Sequence, residues 1–384
     1  MTVLIAGAGP VGLCAANALA DAGIAVHVLE AEPALPENLR ASTFQPPTLD
    51  LLDRFGATRK LIAMGRIAPR VQYRNRAGWV AEFDFGMLAG DTAHPYRVQC
   101  EQFRLNRVLA DRLGRFPHAQ IDFGAEVSDV AQDAGSVTVR LKSGKALTGE
   151  WLIGADGGRS RVREALGIAL EGFTWPERFL VASTPFDFTA AIPGLADVSY
   201  FADEKQWFFL LRVRDVWRVM FPTRREEKDD EILSDAGIEA RLQQVYPREE
   251  RYEITHRTLY SVHQRVAASY RGGRAFLAGD AAHLNNPLGG MGMNGGIHDA
   301  FALADLLVGS TREGRDGLDA YERARRPVAL EYVNHISSAN KRNLETNDPA
   351  WREQMSRAAA DPHLAKEYLL KISMIASLRK ARCA

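Results

Sequence analysis

Three glycine-rich turns carry the residues whose types and spacing could do chemistry. Gly7-Ala8-Gly9-Pro10-Val11-Gly12 opens the chain, with Glu30 after it. Gly154-Ala155-Asp156-Gly157-Gly158-Arg159-Ser160 stands mid-chain. Gly279-Asp280-Ala281-Ala282-His283 comes third, followed by Pro287-Leu288-Gly289-Gly290-Met291-Gly292-Met293-Asn294. The first turn has the Gly-x-Gly-x-x-Gly spacing of a dinucleotide cradle. Gly7 permits a tight turn, Gly9 lets the backbone approach a pyrophosphate, and Gly12 lets helix and strand pack closely. A helix starting there offers free N–H groups and a positive dipole end to phosphates. Glu30 lies 18 positions beyond Gly12 (30 − 12), where an acid hydrogen-bonds a ribose diol. It disfavours a 2′-phosphate on that ribose but does not separate NAD from FAD.

The elements that must hold these turns are legible in pattern. Thr2–Ala6 reads as a buried parallel strand, Val11–Ala22 as a helix and Ile24–Leu29 as a second strand. Ala31–Gln45 is irregular, contains proline and holds Arg40; Pro46–Phe55 reads as a helix stopped by Gly56. Arg70–Phe85 alternates around Gly78 as a hairpin. Glu101–Leu113 reads as a helix, and Gly124–Thr148 as short strands with a Ser143-Gly144-Lys145 turn. The strand Trp151–Ile153 leads into Asp156, which can cap the helix pattern from Ser160. Four strand-like runs, Phe179–Phe188, Val198–Phe201, Trp207–Val213 and Val216–Phe221, could cover a substrate. Arg212 shares a face with Phe208 and Leu210, where it needs a partner. That partner is a protein carboxylate or the carboxylate of an aromatic acid, unless Arg212 stands in water at the strand end, and Arg218 is an equal rival for the role. Tyr200, Trp217 and Phe221 could stack on a ring or serve as core. The apolar run after Arg274 leads into Asp280, placed to bind a hydroxyl. The glycine loop from Pro287 ends in a helix N-terminus near Asn294, and that positive end suits a flat, negatively charged ligand edge.

Composition excludes some classes. The 384 residues are 46% hydrophobic and 25% charged, with 48 basic and 48 acidic residues. A chain without net charge is a poor nucleic-acid binder, and the basic stretch Arg70–Arg76 reads as a solvated sheet edge. Cys14, Cys100 and Cys383 form no CxxC pair, so neither a metal site nor a disulfide framework is expected. No apolar run spans a bilayer. A first strand starting at Thr2 leaves no room for a signal peptide, so a cytoplasmic protein without a membrane partner is expected.

In this order the three motifs resemble the group A FAD-dependent aromatic hydroxylases, the flavoprotein monooxygenases with the fold of para-hydroxybenzoate hydroxylase. The resemblance runs from Thr2 to about Pro327. It implies an α/β fold in which a Rossmann-like FAD-binding domain (1–66, 98–170 and 272–327) is interleaved with an antiparallel-sheet substrate domain (67–97 and 171–271). A C-terminal helical segment (328–384) completes it. It implies FAD on Gly7, Gly9, Gly12 and Glu30, with Arg40 beside the flavin and Gln102 near its ring, Gln99 competing for that place. Asp156 would lie near FAD and the nicotinamide, and Asp280 on the ribityl chain. Gly290, Gly292, Met293 and Asn294 would hold the isoalloxazine, with Pro287 beside the substrate ring. The implied activity uses NADH or NADPH and O₂ to hydroxylate a phenolic or N-heteroaromatic substrate through a flavin C4a-hydroperoxide, in a monomer or homodimer. No residue is named as the base. Other readings on this scaffold are an epoxidase, a halogenase or a non-catalytic flavin-binding protein. The halogenase would need Trp-x-Trp-x-Ile-Pro, which Trp175-Pro176 does not match. A membrane-facing C-terminus is opposed by Lys371 and Ser373 within Leu369–Leu378. A plain NAD-dependent dehydrogenase would not need the second and third motifs.

Overall fold

The apolar run at the N-terminus becomes an interior strand because it is covered on both faces. In the computed structural model, which describes residues 1–37, 39, 41–313 and 317–382, Thr2–Ala6 pairs in parallel with Trp151–Gly154 and Ala25–Leu29. Ala275–Leu277 and Ala119–Asp122 extend this sheet in parallel on either side. Arg271–Gly272 closes one edge antiparallel, making six strands. Val3 and Ile5 are fully buried in a core shared with the helices Pro10–Asp21 and Gly292–Glu313. Three neighbouring strands end at one edge, and each runs into one of the glycine turns. Gly7 N–H reaches Leu29 O at 2.8 Å, Ala155 N–H reaches Ala6 O at 2.9 Å, and Ala278 N–H reaches Gly154 O at 3.0 Å. A carboxyl-end crevice of this kind is where α/β sheets bind nucleotides.

A second sheet of eight strands runs in the order 283–284, 256–267, 170–184, 216–222, 208–213, 198–202, 70–75 and 78–84. Its pairs are antiparallel except 198–202 with 70–75. Because side chains alternate, each strand feeds two different cores. Tyr73, Phe179, Tyr200, Phe209 and Met220 share one. Leu180, Phe208, Leu210, Val219 and Phe221 share the other, with Ile238 and Leu242 of the helix Asp235–Val245. The strand expected to reach Phe188 stops at Thr184. There the Asp187 carboxylate accepts the Thr189 N–H at 3.0 Å and starts the helical turn Phe188–Ala191. The strand runs instead back to Leu170, where His256–Ala267 supplies a paired edge.

Beyond the glycine loop the chain is helical, as expected: Ala320–Val328, His335–Thr346, Pro349–Ala360, Pro362–Ile372 and Ile375–Arg382. Lys341 ties this segment to the large sheet. It is buried, bonds Glu177 at 2.6 Å and Glu345 at 2.9 Å, and stands 4.5 Å over the Trp175 ring. Among the described residues no helix is long and apolar enough to cross a membrane.

Candidate active site

The first turn is shaped for a ligand and for nothing larger than hydrogen at two positions. Gly7 has φ +99°, and a Cβ there would stand 2.4 Å from Ala155 O. At Gly12 a Cβ would stand 2.0 Å from Gly7 O. At Gly9 a Cβ would meet nothing within 4 Å, which leaves open space where a pyrophosphate would lie. The helix begins at Pro10 with no side-chain cap, so its first N–H groups are available to an anion. Glu30 is buried, and its carboxylate accepts Ala8 N–H at 2.6 Å and Glu32 N–H at 3.0 Å. It therefore braces the phosphate turn at the strand end where a ribose would sit. Arg40 lies outside the described residues.

Asp156 does what a helix cap does. Oδ1 accepts the Ser160 hydroxyl at 2.5 Å, and Oδ2 accepts Arg161 N–H at 2.7 Å and Val162 N–H at 3.1 Å. Burial raises its pKa against the pull of these bonds. Asp280 sits in the turn after Ala275–Leu277, exposed where its neighbours are buried. Below it lies an ion cluster that local sequence did not reveal. Asp299 bonds His283 Nε2 at 2.8 Å, Arg325 Nε at 2.6 Å and Gly279 N–H at 3.2 Å. His283 is thus consumed as a brace for the Gly279 turn.

The third motif forms a hub with two loops from the start of the chain. Asn294 Oδ1 accepts Gln45 N–H at 2.9 Å, and its Nδ2 donates to Thr43 O at 2.8 Å and Gly290 O at 2.6 Å. Gln45 Nε2 donates to Gly289 O at 2.8 Å. Gly289 and Gly290 have φ +92° and +64°, so the loop turns where an L side chain would strain it. The 22-residue helix Gly292–Glu313 then starts with its first N–H groups lacking helical acceptors. Gly292 and Met293 are half-buried at that end, and Asn294 is fully buried as the stitch. Gln102 starts the helix Gln102–Leu113, and its N–H meets Ala41 O at 3.0 Å. Its side chain has no hydrogen bond among the described residues, whereas Gln99 Oε1 accepts the Thr43 hydroxyl at 2.9 Å. Gln45 went unnoticed in the sequence because a glutamine before Pro46-Pro47 carries no motif.

Pro287 and Tyr200 come together. Gly289 N–H donates to the Tyr200 hydroxyl at 3.2 Å, and Gly290 N–H to Pro287 O at 3.0 Å. Arg212 and Phe221 do not join them. Arg212 donates to Thr189 Oγ1 at 3.2 Å and Asp187 Oδ2 at 3.4 Å, over the Trp217 ring. Phe221 is sealed in the same far-side core. Both 212 and 221 fall on the side of their strands that the helix Asp235–Val245 covers, away from Tyr200 and Pro287. Arg218 takes the opposite side, the one that Met220 of the same strand also takes, and is in register with Leu211. It is buried, with no ion pair or hydrogen bond among the described residues. Burial lowers its pKa, and Glu101, beside Gln102, acts on it electrostatically. Ser183 pairs with it across the strands, and its buried hydroxyl also lacks a partner. Among the described residues no group of three metal-ligating side chains exists.

A family model for an FAD binding domain matches residues 1–335 of this chain. The chain belongs to the FAD-binding flavoprotein monooxygenases. Para-nitrophenol 4-monooxygenase of Pseudomonas sp. (strain WBC-3) is 34% identical, the match covering 97% of this chain and 95% of that protein. The 6-hydroxy-3-succinoylpyridine 3-monooxygenase HspB of Pseudomonas putida (strain DSM 28022 / S16) is 36% identical over 90% of each. The crystal structure of p-nitrophenol 4-monooxygenase PnpA from Pseudomonas putida DLL-E4 superposes with a TM-score of 0.91 at 32% identity, covering 98% of both chains. This flavoprotein is therefore an enzyme that uses FAD, and the glycine turns fit that cofactor: the open space at Gly9 would admit its pyrophosphate, and the helix end at Gly292 would offer N–H groups to an electron-rich edge.

Proposed function

We propose that this monooxygenase hydroxylates a small phenol or hydroxylated N-heteroaromatic that carries an anionic or strongly polar group, with NADH or NADPH and O₂ as co-substrates. The observation that carries the reading is Arg218. A guanidinium that is buried with no carboxylate bonded to it is costly, and a ligand anion is the direct partner that Glu101, acting only at a distance, does not supply. Bound FAD would supply the redox chemistry, accepting hydride and activating O₂. The residues of this chain do the rest. Arg218 and Ser183 fix one edge of the ring. Tyr200 and Pro287 set its height over the glycine loop. Met220, Phe209 and Leu211 exclude water from the reacting face. The names of the two relatives, one acting on a nitrophenol and one on a hydroxypyridine, support the same substrate range.

The test is substrate-stimulated oxidation of NADH and NADPH by purified yellow protein, with nitrophenols, hydroxybenzoates and hydroxypyridines, tracking oxygenated product. Stimulation coupled to product supports the reading. Flavin bands without stimulation by any of these aromatics would overturn it.

A further inference from the structure

A cavity of about 210 Å³ opens between Tyr73 and the C-terminal helices. Tyr73, Trp351 and Tyr368 form its aromatic wall, Asn340 and Asn343 its polar floor, and Lys371 its rim. It is continuous with the active-site framework. Tyr73 stacks on Tyr200 at 5.3 Å with rings 17° apart, and Tyr200 holds the Gly289 N–H. A Cβ on Gly289 would stand 3.0 Å from the Met291 side chain and 3.7 Å from Asn340 Nδ2, so the polar side of the cavity lies directly against the glycine loop.

The chemistry of the wall selects a ligand. Trp351 meets Tyr73 edge-on at 6.0 Å, and the Tyr368 hydroxyl donates to the Tyr73 hydroxyl at 2.7 Å. Such rings offer stacking faces to a planar aromatic. The side-chain amides of Asn340 and Asn343 and the Lys371 ammonium have no hydrogen bonds or ion pairs among the described residues. Behind Tyr73 and Tyr368, and acting electrostatically on both, is Arg97, buried, with Nε on Gln45 Oε1 at 3.1 Å and its guanidinium 4.8 Å over Phe85. Arg97 has no ion pair among the described residues. A cation thus stands at the mouth, another behind the inner wall, and aromatic surface between them.

We propose that this cavity is an entry vestibule that holds an anionic phenol before it passes Gly289 to the flavin side. The proposal rests on the aromatic-hydroxylase reading for the identity of the passenger. Asn343→Trp fills the vestibule, and Lys371→Glu reverses the charge at its rim on an exposed position. The probe is 4-nitrophenolate at alkaline pH, mixed in stopped flow with oxidised holoenzyme and followed by the flavin absorbance change.

A site on the path changes rates rather than the final affinity. Asn343→Trp is expected to slow association and dissociation together by about fivefold, with the flavin-side dissociation constant held within about twofold. Lys371→Glu is expected to slow the phenolate about threefold and abolish the salt dependence of its association, leaving un-ionised phenol unaffected. Unchanged association in both variants would overturn the vestibule. So would faster dissociation alone, which would place the change at the flavin-side site. Should no phenol perturb the flavin or stimulate NAD(P)H oxidation, the functional reading fails by itself. Quenching of tryptophan fluorescence by 4-nitrophenolate then decides the vestibule: saturable in the wild type and lost in Asn343→Trp supports it, and identical curves overturn it.

Discussion

At the scale of single residues, the dinucleotide turn separates two jobs that glycine does. Gly12 is a packing glycine, since an added Cβ would stand 2.0 Å from backbone that cannot retreat. At Gly9 the same Cβ would enter empty space, and we propose that this space is where the cofactor's pyrophosphate binds. Gly12→Ala is therefore expected to cost about 1–3 kcal/mol of apoprotein stability, read by denaturant unfolding. Gly9→Ala is expected to leave that stability within about 0.5 kcal/mol and to weaken FAD at least about tenfold by fluorescence titration. Equal unfolding curves for the two variants would sink the distinction. Arg218 gives the matching prediction on the substrate side. Truncating one partner of a desolvated charge pair costs about 2–5 kcal/mol, so Arg218→Ala should lower kcat/KM for an anionic phenol by about 30-fold or more. A phenol without the anion should lose far less, and equal losses for both would remove Arg218 from the anion contact. The opposite faces that Arg218 and Arg212 take show where the sequence ran out. Alternation placed Arg212 with Phe208 and Leu210, as found, but not which face the helix Asp235–Val245 would cover. That packing is made by a segment some 20 residues further along, and no local pattern encodes it.

At the scale of elements, the third motif is held by helices rather than by its own glycines. Asp299, about two turns into its helix, joins the Gly279 turn through His283 to the helix Ala320–Val328 through Arg325. All three side chains are almost wholly buried. Burial alone would raise the Asp299 carboxyl, but Arg325 and His283 outweigh it and hold it at about 2. An unfolded aspartate titrates near 3.9. The folded value is the lower one, so the stabilisation is fully present above about pH 4 and is lost as pH falls through the folded value toward 2. Asp299→Asn leaves the buried Arg325 without its counter-charge and should cost about 3–5 kcal/mol at neutral pH. Its denaturant midpoint should also change less than that of the wild type between about pH 4 and pH 2. Parallel midpoint-against-pH curves for the two proteins would show that the cluster does not govern acid stability. The strand–turn–helix units were legible because each is local in sequence. This cluster was not, because 283, 299 and 325 meet only when two helices pack.

At the scale of the whole molecule, the proposed FAD cradle is assembled from sequence-distant pieces: Gly7–Gly12, Thr43–Gln45, Gln102, Gly279–Asp280 and Gly289–Asn294. Asn294 and Gln45 bind loops 249 positions apart, and Tyr200 carries the large sheet onto the same loop. The order of the three motifs made this architecture readable, but the stitching came from polar side chains with no motif of their own. A ligand spanning these pieces should act on all of them at once. FAD at about 100 times its dissociation constant stabilises the binding-competent state by about 2.7 kcal/mol. If the two sheets unfolded independently, FAD would shift only the half that holds the phosphate turn. The hub argues for one shared transition. The tryptophans can report the difference: Trp151 lies in the parallel sheet, whereas Trp207 and Trp217 belong to the cores of the large sheet. Variants keeping only Trp151 or only Trp217, unfolded in guanidinium with and without FAD, should show the same upward shift in midpoint. That shift should coincide with flavin release followed by absorbance. A shift confined to the Trp151 reporter would mean that the large sheet docks on the cradle without sharing its stability, and that the Gln45–Asn294–Tyr200 hub positions the substrate side without coupling it to the cofactor.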